Sequence, residues 1–311
     1  MTYLGWRSGP PLIGMIALVF VAVAVVALAC GEANPAPTST PASSPFPLTL
    51  TDSSGSQVTL DEPPERIVAI DSAAVEILFA LGEGHRVIGT HDFVSYPPEA
   101  DQIERVGSAF ALDLERIAAL EPDLIYIFFD APLPDLQKLG VPVLYLKSPD
   151  TLEEVAQQMR GWGEIVGKPG AALELVASFQ GSIEAVKEKV AGVTEGPRVF
   201  HDEAPGLWTT GSGSLADEVY TLLKAENTFS DISGYAQVSP EEVVARDPEV
   251  IISVHAEGPD SFRSTPAFQN ISAVKSDRLF AIEGSLLSVP GPRLVQGVEL
   301  VAKLLYPDLF P

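Results

Sequence analysis

From residue 48 onward the apolar positions fall into two rhythms. Short, mainly apolar runs occupy 66–70, 86–90, 124–129, 141–146, 198–201, 250–254 and 279–282. Between them apolar residues recur every three or four positions, the period of a helix. Strands apolar on both faces and separated by helices predict parallel sheets covered on both sides, hence an α/β fold. A hairpin is expected first, with 48–50 and 57–60 flanking Asp52-Ser-Ser-Gly55, closed by Pro63-Pro64. Helices are expected at 73–81, ended by Gly82, and at 151–166, opened by the capping-box sequence Thr151-Leu-Glu-Glu154. Others follow at 214–224 and 292–305. The longest covers 169–190, where Leu173, Val176, Phe179, Ile183, Val186 and Val190 form one stripe. At about 1.5 Å per residue it makes a rod of about 30 Å, a stiff spine between two halves.

Two segments 126 positions apart repeat one plan of short helix, Pro turn and apolar strand. Asp113-Leu-Glu-Arg-Ile-Ala-Ala-Leu-Glu-Pro-Asp-Leu-Ile125 is echoed by Ser239-Pro-Glu-Glu-Val-Val-Ala-Arg-Asp-Pro-Glu-Val-Ile251, with Glu115 aligned to Glu241 and Pro122 to Pro248. The spacing is too long for a solenoid repeat of roughly 20–50 residues. It predicts two similar lobes with a cleft between them. Asp113 and Ser239 are the expected N-caps, and Glu242 completes a capping box, which leaves Glu241 facing outward. A Glu in the first turn also favours the helix dipole by about 0.3–1 kcal/mol, a purely structural role.

At 311 residues the chain can form two domains, each with its own core. With 42 acidic against 19 basic residues and a formal charge of −23, nucleic-acid binding is not expected. The single cysteine, Cys30, ends an uncharged stretch at 12–29 that follows Arg7. Ala27-Leu28-Ala29-Cys30-Gly31 resembles a bacterial lipoprotein signal, in which the cysteine is lipidated and anchors the mature chain; an uncleaved N-terminal membrane helix is the other reading. Both put the remaining chain outside the cytoplasmic membrane. The Pro-, Ser- and Thr-rich stretch that follows reads as a solvated tether. The expected organisation is therefore a signal peptide at 1–29, a tether at 30–47, an N-terminal lobe at 48–168, the spine helix at 169–192 and a C-terminal lobe at 193–311.

Pro64-Glu-Arg-Ile-Val-Ala-Ile-Asp-Ser-Ala-Ala-Val-Glu-Ile-Leu-Phe-Ala-Leu-Gly82, Arg86-Val-Ile-Gly89, the 114–125 segment and Pro290-Gly-Pro-Arg293 together resemble the substrate-binding proteins of ABC importers for cobalamin, ferric siderophores and haem. The resemblance spans 49–311. It implies two Rossmann-like lobes joined by a long helix, a monomer without a cofactor, and delivery of a small metal chelate to a permease dimer with its ATPase subunits. It also implies that Glu115 and Glu241 dock on arginine pockets of the permease, and that the spine allows little lobe motion. Ser95-Tyr-Pro-Pro-Glu-Ala-Asp-Gln-Ile-Glu-Arg-Val106 and Gln237-Val-Ser-Pro-Glu-Glu-Val-Val-Ala-Arg246 are most like the cobalamin-binding members, whose cleft aromatics fall on Phe93, Phe128, Trp208 and Tyr235. Phe110 stands near a tryptophan that is not kept.

In open α/β sheets ligands sit beyond the carboxyl ends of strands. Those ends carry Asp71, His91, Asp92, Phe93, Phe128, Phe129, Asp130, His201, Asp202, Glu203, Trp208, His255 and Glu283. Several aromatics there suit a large flat ligand. Three of the four histidines lie at strand ends, so direct metal ligation by His91, His201 or His255 is open, although no His-x-x-His spacing supports it. Arg263 and Arg293 are the only cations near the cleft, too few for an anionic catecholate. The charge balance favours cobalamin or another corrinoid over a catecholate, with a ferric-siderophore or haem binder of the same family as the alternative. An enzyme is the competing class, but Gly211-Ser-Gly-Ser-Leu215 lacks the closing Gly of a nucleophile elbow, and no Gly-rich phosphate loop follows a strand. A sensor or scaffold lipoprotein is the remaining alternative.

Overall fold

The computed structural model describes residues 46–310; the apolar segment at 12–29, Cys30 and the tether up to residue 45 lie outside the described residues. The hairpin forms as expected. Leu48–Thr51 pairs antiparallel with Gln57–Leu60, and the Asp52 carboxylate accepts from the Ser54 and Ser56 amides to hold the turn.

Five parallel strands follow in the spatial order Glu104–Arg105, Val87–Thr90, Ile67–Ile70, Leu124–Ile127 and Val143–Tyr145. The order reverses at Ile67–Ile70, so the crevice of this lobe opens between the ends of Ile67–Ile70 and Leu124–Ile127. Every residue of those two strands is buried, which is why their sequences are apolar without alternation. The second parallel sheet has the order Glu226–Asn227, Arg198–Asp202, Val250–Ser253 and Leu279–Ala281, reversing between Arg198–Asp202 and Val250–Ser253. The repeated segments thus occupy equivalent places. Leu114–Ala119 leads into Leu124–Ile127 and Pro240–Arg246 into Val250–Ser253, each of which pairs with the first strand of its sheet.

The spine helix runs Pro169–Val190 and buries Ala172, Val176, Phe179, Ile183, Val186 and Val190. Leu173, expected on that stripe, is instead 60% exposed. The cause lies in the preceding helix, Leu152–Ile165. A Cβ placed on its Gly163 would come within 2.2 Å of the Ala172 Cβ, so the two helices meet through these small residues and Leu173 is turned outward. The capping box expected at Thr151 is half made. Thr151 Oγ1 accepts from the Glu154 amide, but the Glu154 carboxylate takes the Asp150 amide, and Glu218 of the second lobe accepts from Leu152 N–H at 2.6 Å.

The described residues belong to one compact unit. Its largest apolar cluster runs from Leu60 through Tyr126, Trp162 and Phe179 to Val199, Ile252 and Val298, so the core is continuous across both lobes. Smaller clusters back the outer face of each sheet. No helix among the described residues is long and apolar enough to cross a membrane.

Candidate functional site

At the crevice of the first lobe, Asp71 leaves Ile67–Ile70 and caps the helix Ser72–Ala80, accepting from the Ala73 and Ala74 amides. Burial pushes its carboxyl up to about 6, against the pull of those amides. His91 ends the neighbouring strand and is also buried. Its Nδ1 accepts from Phe93 N–H, so Nε2 carries the proton and faces Ser72 Oγ at 3.2 Å. Burial, helped by Arg105, pushes this imidazole down to about 4, and it is neutral at physiological pH. Phe93 itself is 71% exposed and Phe110 is 83% exposed, both unusual for a side chain of that size. Phe110 lies 5.3 Å from Phe129, which in turn lies 4.9 Å from Phe128.

In the second lobe the strand Arg198–Asp202 carries His201, buried with both ring nitrogens engaged. Tyr220 Oη lies 2.7 Å from Nδ1 and Glu203 Oε2 lies 2.7 Å from Nε2. Burial raises the Tyr220 phenol, so it donates to Nδ1 and the Nε2 proton goes to Glu203. Burial alone would raise Glu203; the hydrogen bond from His201 outweighs it and holds the carboxyl below its usual range. His255 Nε2 lies 2.8 Å from Asp202 Oδ2, which also accepts from Ser253 Oγ. Trp208 and Tyr235 stack in parallel, 4.8 Å apart at 10°, because their strands Trp208–Thr210 and Tyr235–Gln237 pair antiparallel. A cavity of about 320 Å³ joins His201, Glu203 and Tyr235 to Ser148 and Asp150 of the first lobe and Ser288 of the second.

The arrangement changes the roles expected for several residues. Arg293 was expected to reach the cargo; instead its guanidinium bonds Glu76 of the first lobe and stacks on Tyr96, with its side chain 11% exposed. Arg263 is held by Asp260 and Asp277 on the surface. The three strand-end histidines do not converge. No group of three or more His, Cys, Asp or Glu able to hold a metal ion occurs among the described residues; His91 and His201 hydrogen-bond protein groups, and His255 lies 2.8 Å from Asp202. Glu76, Tyr96 and Tyr220 were missed at the sequence level. Glu76 was detectable as a lone charge inside the apolar run 73–81; Tyr96 and Tyr220 carry no local signal, since each acquires its partner from another element.

Residues 67–286 match the family described as periplasmic binding protein. The chain belongs to the periplasmic binding protein family. Such proteins serve ABC transporters by presenting small molecules to a permease; they are not enzymes. This periplasmic binding protein is 29% identical over 275 residues to a substrate-binding lipoprotein of an ABC transporter from Bacillus subtilis, covering 85% of this chain and 87% of the relative. It is 30% identical over 247 residues to the vitamin B12-binding protein of Vibrio parahaemolyticus, covering 76% of this chain and 88% of that one. Among solved structures, the vitamin B12-binding protein of Vibrio cholerae superposes with a TM-score of 0.70 at 27% identity, over 79% of this chain and 98% of that one. A haem-binding protein of Roseiflexus fits as well, with a TM-score of 0.71 at 26% identity over 79% and 99%. The family fold therefore accommodates both macrocycles, and the cargo must be argued from side chains.

In this periplasmic binding protein Glu115 and Glu241 occupy the first turns of their matching helices, and both are exposed. Neighbouring acids do the capping. Asp113 accepts from the Arg116 amide, and Glu242 bonds both the amide and the hydroxyl of Ser239. Among the described residues neither Glu115 nor Glu241 forms an ion pair, whereas Arg116 is already paired with Asp113 and Glu104.

Proposed function

We propose that this chain is the extracytoplasmic binding subunit of a cobalamin importer, anchored through lipidated Cys30 and docked on its permease by Glu115 and Glu241. One observation carries the choice of cargo: among the described residues the cleft offers aromatic surface and acceptors but no uncommitted cation. Arg293 and Arg263 are both consumed by acids of this chain. Phe93, Phe110, Tyr235 and Trp208 remain as flat faces. A catecholate chelate or a haem with two propionates would bring negative charge to a cleft that cannot neutralise it, at a cost of several kcal/mol if desolvated. A corrinoid ringed by neutral amides meets no such penalty, and it gains from burial against aromatics. The vitamin B12-binding relatives support the same choice.

The test is calorimetric titration of the detergent-solubilised full chain with cyanocobalamin, haem and ferric siderophores. Tight binding of cyanocobalamin alone is expected. Absence of heat with cyanocobalamin, alongside tight binding of haem or a ferric chelate, overturns the assignment.

A further inference from the structure

The second sheet reverses its strand order between Arg198–Asp202 and Val250–Ser253, so the residues that leave these strands flank its crevice. Glu203 and His255 stand there, with Asp202 at the strand end between them and Asp150 of the first lobe on the same cavity. His255 lies against Asp202. Glu203 is differently placed. Its Oε2 accepts from buried His201, while its Oε1 has no hydrogen-bond partner among the described residues and the side chain lines the cavity that reaches the first lobe.

The carboxylate is held from two sides. Behind it, Tyr220 and His201 form a buried relay, 0% and 1% exposed, that fixes one oxygen. At the backbone, Glu203 N–H donates to Trp208 O at 2.8 Å, closing a turn in which Gly206 at φ 92 and Leu207 at φ 63 adopt left-handed conformations. That turn delivers Trp208 to its stack on Tyr235. The Tyr235 phenol is raised first by burial and then by the Glu203 charge, so the carboxylate and the aromatic pair act on one space. A strained turn and a buried relay that hold one acceptor beside a flat platform have no evident use in the lobe's own packing. They suit a planar ligand with hydrogen-bond donors on its rim.

We propose that Glu203 is a specificity-determining residue of the cleft, accepting from an amide N–H on the rim of the cargo and rejecting cargo that carries a carboxylate there. This rests on the corrinoid reading above and deepens it. His201 and Tyr220 are positioning residues. A charge-assisted bond from an amide is worth a factor of about 10–100 in affinity. A carboxylate placed about 5 Å from Glu203, at an effective dielectric constant of about 20, is disfavoured by on the order of 100-fold.

The test uses the full chain in detergent, titrated with cyanocobalamin and with its separated monocarboxylic acids, in which one side-chain amide is hydrolysed. Wild type should bind at least one of these acids about 100-fold more weakly than cyanocobalamin. Glu203→Gln should bring that acid to within about tenfold of cyanocobalamin while still binding the parent, which also reports that the variant is folded. Tyr220→Phe, which keeps the ring and removes the hydroxyl, should narrow the same ratio, an effect that mere loss of stability does not produce. If wild type binds cyanocobalamin and every acid alike, or Glu203→Gln leaves the ratio unchanged, the role of Glu203 is overturned while the corrinoid assignment stands. If wild type ignores cyanocobalamin and takes haem, both fall.

Discussion

Arg293 and Glu76, 217 positions apart, are joined across the lobes: Nη2–H and Nε–H both donate to one Glu76 oxygen, at 2.7 and 3.0 Å. The guanidinium also lies 3.7 Å from the centre of the Tyr96 ring. Burial raises the Glu76 carboxyl, and Arg293 pulls against it. Arg293→Met strands a buried acid and should destabilise the protein by about 3–5 kcal/mol in urea unfolding. The double variant Glu76→Gln/Arg293→Met should recover a large part of that loss. Arg293→Lys should not replace the native residue, because it loses both the paired bonds and the stacking plane. A loss under about 1 kcal/mol for Arg293→Met would show that the pair does not brace the lobes.

Gly161 and Gly163 lie two residues apart in one helix and should respond in opposite directions. Nothing lies within 4 Å of a Cβ built on Gly161, so Gly161→Ala should stabilise by up to about 1 kcal/mol through helix propensity alone. A Cβ on Gly163 would press on Ala172 at 2.2 Å, with the Lys168 carbonyl at 3.1 Å. Gly163→Ala should therefore lose about 1–3 kcal/mol as the helices separate. Thermal melts of the two variants check both signs at once.

Asp71 should make the protein less stable as pH rises. Its carboxyl is pushed up to about 6 from an ordinary value of 3.8, so between these values the folded state holds a proton that the unfolded state has released. The contribution is complete below about pH 4 and disappears as pH rises through 6, for a swing on the order of 2–3 kcal/mol. Asparagine caps helices as well as aspartate does and carries no charge to desolvate. Asp71→Asn should therefore be more stable than wild type at pH 7 and about equal near pH 4. Parallel pH-dependent unfolding curves for the two proteins would refute this.

The docking role of Glu115 and Glu241 predicts a separation of binding from delivery. The double variant Glu115→Ala/Glu241→Ala should keep its cargo affinity and its melting temperature to within the roughly 1 kcal/mol of two surface helix-dipole interactions. Uptake through the cognate permease should fall at least tenfold. Full uptake by the double variant would leave these residues with the helix dipole as their only role.

Much of the fold was legible because burial on both faces leaves a direct mark on composition. Ile67–Ile70 and Leu124–Ile127 had to be apolar throughout, and caps such as Asp113 and Ser239 act within three residues. The sequence by itself therefore determined the strands, the spine helix, the repeat and the Glu115/Glu241 pair, since each depends on neighbours close along the chain. It proposed Arg293, His91 and His201 for the cleft but could not say what they touch. Their partners, Glu76 for Arg293, Ser72 for His91 and Tyr220 for His201, lie 217, 19 and 19 positions away. Leu173 turned outward for the same reason, because Gly163 belongs to another helix. Only the tertiary structure decided which charges are consumed and which oxygens, such as Glu203 Oε1, keep no partner among the described residues. Hydrogen bonds and close packing act over a few ångströms in space, and the order of residues along the chain does not record that distance.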